Sequence, residues 1–408
     1  MKTFFCASFV FLLLFACQKT KKSDTVSFSW KHLSSKNGDI EVPNTGNQQT
    51  ASAVYDVDLD GFNDFIIAER TAAPAIVWYR RTQNGWQRYI LNEDTLHIEA
   101  GSAVSDIDGD NDLDVVFGGD FSSNKVWWWE NPYPEYAPDK QWRRHTIKNG
   151  GSNKHHDQLF GDFDGDGKEE LVFWNQNDRV LYLAEIPENP RESEAWELYN
   201  IYSYDNESEP RQRGVYPDWK GINEHEGLAW ADMDGDGKLD ILGGGCWFKH
   251  IEGHTFEVHV IDETYAFSRI AAGQLIEGGR PEVVIVVGDG RAPLMLYQWI
   301  NDKWLAKTLI DSVQDGHSLD IIDFNGDGHL DIFNAEMRLG NNPKAKTRIL
   351  LGDGKGNFQT YLIHEGFGLH ESRIADLDGD NDYDILGKPY TWDAPRLDIW
   401  LNTSPLRF

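Results

Sequence analysis

The chain has 408 residues, more than one ordinary core needs, so it is either several domains or one repeat architecture. Apolar residues make up 40% and aromatics 13%, which excludes a disordered chain; a net charge of −29 excludes a general nucleic-acid binder. Three Cys exclude a disulfide scaffold, and 38 Gly point to a turn-rich, all-β protein.

Lys2 precedes an apolar run from Phe4 to Ala16. The run is too short to span a bilayer and reads as the core of a signal peptide. It ends Leu14-Phe15-Ala16-Cys17, which resembles a bacterial lipobox. On this reading residues 1–17 are a lipoprotein signal and Cys17 is the lipidated residue. Residues 18–26 are a polar tether, and 27–408 form the folded domain. The expected location is outside the cytoplasm, anchored by lipid to a bacterial membrane, facing periplasm or cell surface. The first folded element is an orphan strand, Phe28-Ser-Trp-Lys-His32-Leu33.

A pattern then recurs: Asp-x-Asp-x-Asp-Gly-x-x-Asp, followed by a short β-branched run. Its copies are Asp56, Asp58, Asp60, Asp64; Asp106, Asp108, Asp110, Asp114; and Asp162, Asp164, Asp166, Glu170. They continue with Asp232, Asp234, Asp236, Asp240; Asp323, Asn325, Asp327, Asp331; and Asp376, Asp378, Asp380, Asp384. Oxygen ligands at loop positions 1, 3, 5 and 9 can wrap one hard cation, so up to six structural Ca2+ are expected. Position 6 needs a left-handed turn and is Gly or Asn in every copy. The interval from Asp232 to Asp323 is 91 residues, against 50 to 70 elsewhere. It hides a seventh copy around Glu277, with the strands kept and the loop reduced to a turn.

Each unit of about 50 residues reads as four strands. One precedes the Asp loop and one follows it. A third is aromatic-rich (Ile76–Tyr79, Val126–Trp129), and a fourth resembles Trp-x-x-His-x-Ile (Trp142–Ile147). Repeated four-stranded units predict a seven-bladed β-propeller. The last unit stops after its third strand, Leu397–Asn402, so residues 28–33 are expected to complete it and close the ring.

These repeats resemble FG-GAP (VCBS-type) propeller repeats over essentially the whole mature chain. A narrower resemblance rests on Lys154-His-His-Asp-Gln-Leu-Phe, Asp315-Gly-His-Ser-Leu, Leu369-His-Glu-Ser and Gly387-Lys-Pro-Tyr-Thr-Trp-Asp-Ala-Pro-Arg. These segments are similar to the propeller domain of aldos-2-ulose dehydratases, whose cupin domains have no counterpart in these 408 residues. That resemblance implies an oxidised sugar or keto-glycoside as substrate.

The innermost strand of each blade spans about 20 Å, so residues six or seven before each loop lie at the opposite mouth of the channel. There the sequence places His155, His156 and Asp157 in blade 3, and His225 with Glu226 in blade 4. It adds His317 in blade 6 and His370 with Glu371 in blade 7. Imidazoles with carboxylates suit one Zn2+ or another divalent transition ion. His156, His225 and His317, with Glu226, are the expected ligands. His370 is the expected base with Glu371 orienting it, and Tyr390 or Lys388 is expected to supply the acid, with Tyr390 protonating the leaving oxygen. Returning strands bring Arg70, Asp120, Glu336 and Arg396 to this mouth as substrate-binding groups, with Asp157. The insertion at 202–223, with Arg211 and Arg213, is expected to overhang it.

Two functions fit. One is a metal-assisted lyase (dehydratase) acting on a carbohydrate-type small molecule. The other is a calcium-rigidified surface propeller that binds glycan or protein without catalysis. No nucleic-acid partner is expected.

Overall fold

The inner strands of the blades carry consecutive apolar residues, and the computed structural model shows what each face of a strand meets. It describes residues 28–204, 224–339 and 342–404. The signal peptide, Cys17, the tether and most of the insertion, including Arg211 and Arg213, lie outside the described residues. Seven sheets of four antiparallel strands form the fold. In six of them the strands follow sequence order from the innermost to the outermost.

The seventh sheet is assembled from both ends of the chain. Its order is Arg373–Ala375, Asp384–Gly387, Asp398–Asn402, then Trp30–Ser34. The N-terminal strand pairs antiparallel, with Trp30 opposite Asn402, His32 opposite Trp400 and Ser34 opposite Asp398. Blade 5 keeps its strands, Ser268–Gly273 and Glu282–Val287; against expectation their connection is not shortened to a turn, because Gly273 pairs with Glu282 at the same spacing as Ser105 with Asp114, so it has lost the acidic ligands and kept its length. Among the described residues there is no α-helix, and none is long and apolar enough to cross a membrane.

The core is divided into seven clusters, one between each pair of neighbouring blades. Successive residues of a strand serve different clusters, because side chains alternate across a sheet. Val115 and Phe117 pack toward blade 1, while Val116 packs toward blade 3. Ile66 faces blade 2, while Phe65 and Ile67 join Leu386, Ile399 and Leu401 of blade 7. That last cluster closes the ring. Trp127, Trp128 and Trp129 are buried in these seams rather than displayed.

Outer-strand histidines stack on third-strand tryptophans. His32 lies 4.7 Å from Trp400, His145 4.3 Å from Trp128 and His259 4.1 Å from Trp247. His364 stacks on Trp400 at 4.1 Å, and its two buried ring nitrogens have no hydrogen-bond partner among the described residues. Burial pushes it down to about 3. A histidine lowered in the fold binds fewer protons than the unfolded chain, so its contribution is full above about pH 6.5 and lost as pH falls. Between pH 7 and pH 5 the parent should lose about 1–2 kcal/mol more than His364→Phe. Denaturant titrations of both proteins at the two pH values check this; equal losses would refute it.

Candidate metal centre at the channel mouth

Three blades send one ligand each to the axis. His156 Nε2 lies 3.0 Å from Glu226 Oε1, and His317 Nε2 lies 3.4 Å from Glu226 Oε2. One ligand atom from each of the three residues falls within 4.8 Å of the others, and all three residues are buried. Backbone irregularity makes this possible. The blade 3 strand His155–Gly161 shifts register between His156 and Gln158, and Asp157 at that bulge has φ +51°. Glu371 has φ +49°. Such left-handed non-Gly residues cost energy and persist where surroundings over-determine them. Gly288 makes room, since a Cβ there would meet Glu226 Oε2 at 2.9 Å.

Each imidazole has an acid behind it. His156 Nδ1 donates to Asp157 Oδ2 at 2.8 Å, and His317 Nδ1 faces Glu371 Oε1 at 3.6 Å. Burial alone would lower both histidines; the carboxylates overcome it and push His156 up to about 9 and His317 up to about 10. Burial opposes ionisation of Glu226, yet the two imidazoles hold it below the usual carboxylate range. The cluster therefore demands positive charge. Glu226 Oε2 is buried without a hydrogen-bond partner among the described residues, which suits a ligand oxygen. Two imidazoles and a carboxylate are donors for a divalent transition ion, with positions left for substrate.

His370 stacks on His317 at 4.6 Å and on Tyr390 at 4.9 Å. Its Nδ1 lies 3.4 Å from Lys388 Nζ, which also donates to His370 O and Gln49 O. Burial pushes Lys388 down to about 7 and, with Lys388 beside it, holds His370 well below the usual imidazole range. Arg70 donates to Tyr390 Oη at 2.6 Å and is itself held by Glu99 and Asp120. A cavity of about 220 Å³ joins these groups, lined by the metal-competent trio, His370, Tyr390 and Arg70, with Glu99 and Lys154 beside them.

Several expectations need correction. His225 is outside the trio; its ring stacks on Tyr204 at 3.7 Å, between blades. His155 also turns away, toward Gly119 O and Asn175. Glu371 does not orient His370: it pairs with Arg269 and Arg373 and faces His317. Asp120, Asp157, Glu336 and Arg396 are buried in internal pairs and do not line the cavity. Asp120 holds Arg70, Asp157 holds Arg269, Glu336 holds Arg348, and Arg396 holds Asp398. Sequence reasoning missed Arg269, Glu99 and the Lys154–Glu224 pair. The tripeptide Ser-Arg-Ile at 268–270 recurs at 372–374, and both arginines bind Glu371; that repetition was the available signal.

At the far mouth the six acidic loops share one geometry. Position 6 has positive φ in all six, from Gly61 to Asn381. The position 1 carboxylate accepts backbone N–H groups of its own loop, as Asp106 does from Gly109, Asp110 and Asn111. The position 9 acid has a structural duty besides. Asp114, Glu170, Asp240, Asp331 and Asp384 each accept the N–H seven residues earlier, and Glu282 of blade 5 accepts that of Ile276, six residues earlier. Arg80, Arg191 and Lys249 reach carboxylates of the loops in blades 1, 2 and 4. No such ion pair occurs in the loops of blades 3, 6 and 7 among the described residues.

Fold and mouth together define a closed repeat propeller with a polar, metal-competent pocket. A family model described as an FG-GAP-like repeat matches residues 106–173, from the second acidic loop into blade 3. No curated protein matches the chain. Among solved structures, BBS1N in complex with ARL6DN is similar at 12% identity, covering 93% of this chain and 99% of that one, with a TM-score of 0.51. The Vibrio cholerae biofilm matrix protein Bap1 is 11% identical over 90% of each chain, with a TM-score of 0.45. A NanB sialidase variant from Streptococcus pneumoniae is 12% identical over 88% of this chain and 70% of that one, with a TM-score of 0.41. At these identities the likeness is one of fold.

Proposed function

We propose that the mouth pocket is the active site of a metal-dependent carbon–oxygen lyase acting on an oxidised sugar or keto-glycoside. The observation that carries this reading is the convergence of His156, Glu226 and His317 beside a neutral imidazole and a phenol in one small cavity. The likeness of four segments to aldos-2-ulose dehydratases supports the substrate class. A divalent ion held by the trio would supply Lewis-acid polarisation of the substrate carbonyl. The chain's own residues handle the protons. Above about pH 7 Lys388 is neutral, donates to the two carbonyls and accepts a hydrogen bond from Nδ1–H of His370. Nε2 of His370 then carries the lone pair and takes the proton from the carbon beside the carbonyl. The carbon–carbon double bond forms as the β carbon–oxygen bond breaks. Tyr390, kept as a phenol by burial and oriented by Arg70, gives its proton to the departing oxygen, which leaves as water or alcohol.

The acidic loops are proposed Ca2+ sites, and the buried Oδ1 of Asp378, without a hydrogen-bond partner among the described residues, suits an ion there. Blades 3, 6 and 7, whose carboxylates form no ion pair among the described residues, bind first. Cys17 is the proposed lipid anchor. The test is elemental analysis of the dialysed protein, followed by a screen of oxidised sugars for elimination. About one transition ion per chain above a calcium background, with unsaturated product formed, is expected. Calcium alone and no product would leave a non-catalytic glycan- or protein-binding propeller.

A further inference from the structure

Blade 5, the one blade without an acidic loop, contributes no ligand to the trio, yet it sends Arg269 to the channel. The guanidinium spans two carboxylates from two other blades. Arg269 Nη1 donates to Asp157 Oδ1 at 2.6 Å, and Nη2 lies 3.1 Å from Glu371 Oε1. Side-chain exposure is 13% for Arg269, 6% for Asp157 and 1% for Glu371. These pairs are therefore little screened, and removing one partner leaves a charge buried and uncompensated.

Asp157 Oδ2 accepts from His156 Nδ1 at 2.8 Å and from Gly227 N at 2.9 Å, the amide that follows Glu226. Glu371 Oε1 faces His317 Nδ1. Each imidazole thus turns its Nδ1 edge to an acid and its Nε2 edge to Glu226. Every member of the trio lies one group away from the same arginine: His156 and the backbone of Glu226 through Asp157, His317 through Glu371. Both acids occupy left-handed backbone, where they stay only if something holds them. Arg373 Nη2 helps at Glu371 Oε2, 3.2 Å away, but does not reach Asp157.

We propose that Arg269 is a positioning residue of the metal centre: by clamping Asp157 and Glu371 together it aims the Nε2 edges of His156 and His317 at one point. This rests on the metal reading of the trio. Acids behind ligating histidines fix ring orientation, and their loss weakens metal affinity by about 10–100-fold. Arg269 acts one step further out, on both histidines at once. Lysine cannot replace it, because a single ammonium does not reproduce the two-pronged fork.

The experiment is a Co2+ titration of the calcium-loaded protein, followed by visible absorption, for the parent, Arg269→Gln and Arg269→Lys. Thermal unfolding of each without transition metal is measured in parallel. Arg269→Gln is expected to bind Co2+ about 10–100-fold more weakly with an altered absorption band, and Arg269→Lys to fall between it and the parent. A merely structural arginine would lower the unfolding temperature and leave Co2+ affinity and spectrum unchanged; that result overturns the assignment. Should Arg269→Gln not fold, Arg269→Lys keeps the buried charge and carries the same test. If the parent takes up no Co2+, the metal centre itself falls. If the parent binds and both variants match it, the metal centre stands and only the role of Arg269 falls.

Discussion

Alanine at His317 is expected to remove the transition ion and turnover together, whereas alanine at His370 removes turnover and leaves the ion in place. The two rings stack 4.6 Å apart, so their roles are separable only by what each ring's nitrogens meet. His317 Nε2 faces Glu226 Oε2, and His317 belongs to the trio; losing it leaves two ligands, too few to retain a divalent ion through dialysis. His370 Nδ1 faces Lys388, and His370 is no member of the trio. Loss of a general base costs about 10²–10⁴-fold in turnover. Lys388→Arg sharpens the distinction. A permanent cation cannot accept a hydrogen bond from Nδ1–H, so the hydrogen would move to Nε2 and the base would be lost with the ion retained. The parent's rate should rise as pH passes about 7, where Lys388 loses its proton, and Lys388→Arg should show no such rise. Metal content and steady-state rates on the same preparations decide it. A His370→Ala protein that turns over at the parent's rate would end the base assignment; a His317→Ala protein that keeps its ion would end the ligand assignment.

The fold was legible because its signals are periodic. Six acidic loops in one register, a doubled interval around Glu277 and a third-strand ending at Asn402 fix seven blades and require Trp30–Ser34 as the closing strand. The heights of the mouth residues were legible too, from strand length. Their directions were not read, although alternation across a strand already separates neighbours. His156 turns inward and His155 outward, and Glu226 turns inward and His225 outward. Two exceptions defeat simple alternation: Asp157 at the bulge and Glu371 at positive φ both stay near the axis beside an inward histidine. No spacing rule predicts those backbone states for acidic residues. Arg269 was obscured for another reason. It sits in the unit whose connection has lost its carboxylates, so no acidic motif marked the far end of its strand. The position 9 acids were read only as ion ligands, and Glu282 shows their second role, holding the connection where the other carboxylates are lost.

Deleting residues 28–34 should open the ring and lower the unfolding temperature by 10 °C or more, with self-association. The strand Trp30–Ser34 is the outer strand of blade 7, and among the described residues it alone ties the N-terminal end to the C-terminal one within a sheet. Its five residues pair along the whole of Asp398–Asn402. His32 stacks on Trp400 with an interplanar angle of 8°, and its Nε2 bonds to Asp398 at 2.9 Å. Phe28 and Trp30 pack on Phe324 of blade 6 at 5.4 and 5.9 Å. A ladder bond contributes about 1 kcal/mol net, and each large apolar side chain about 1.5–3 kcal/mol when buried. The strand is therefore worth on the order of 5–10 kcal/mol, comparable with the whole stability of a typical domain. Its removal also uncovers an edge carrying Ile399 and Leu401, a template for pairing with another chain. Thermal unfolding and size-exclusion chromatography of the truncated protein check both effects. A synthetic peptide of residues 27–36 added in trans should restore the monomer and part of the stability, because the edge it occupies remains intact. A truncated protein that stays monomeric and melts within about 2 °C of the parent would mean that the blade 7 to blade 1 seam, built on Phe65, Ile67, Leu386 and Ile399, holds the ring without the strand.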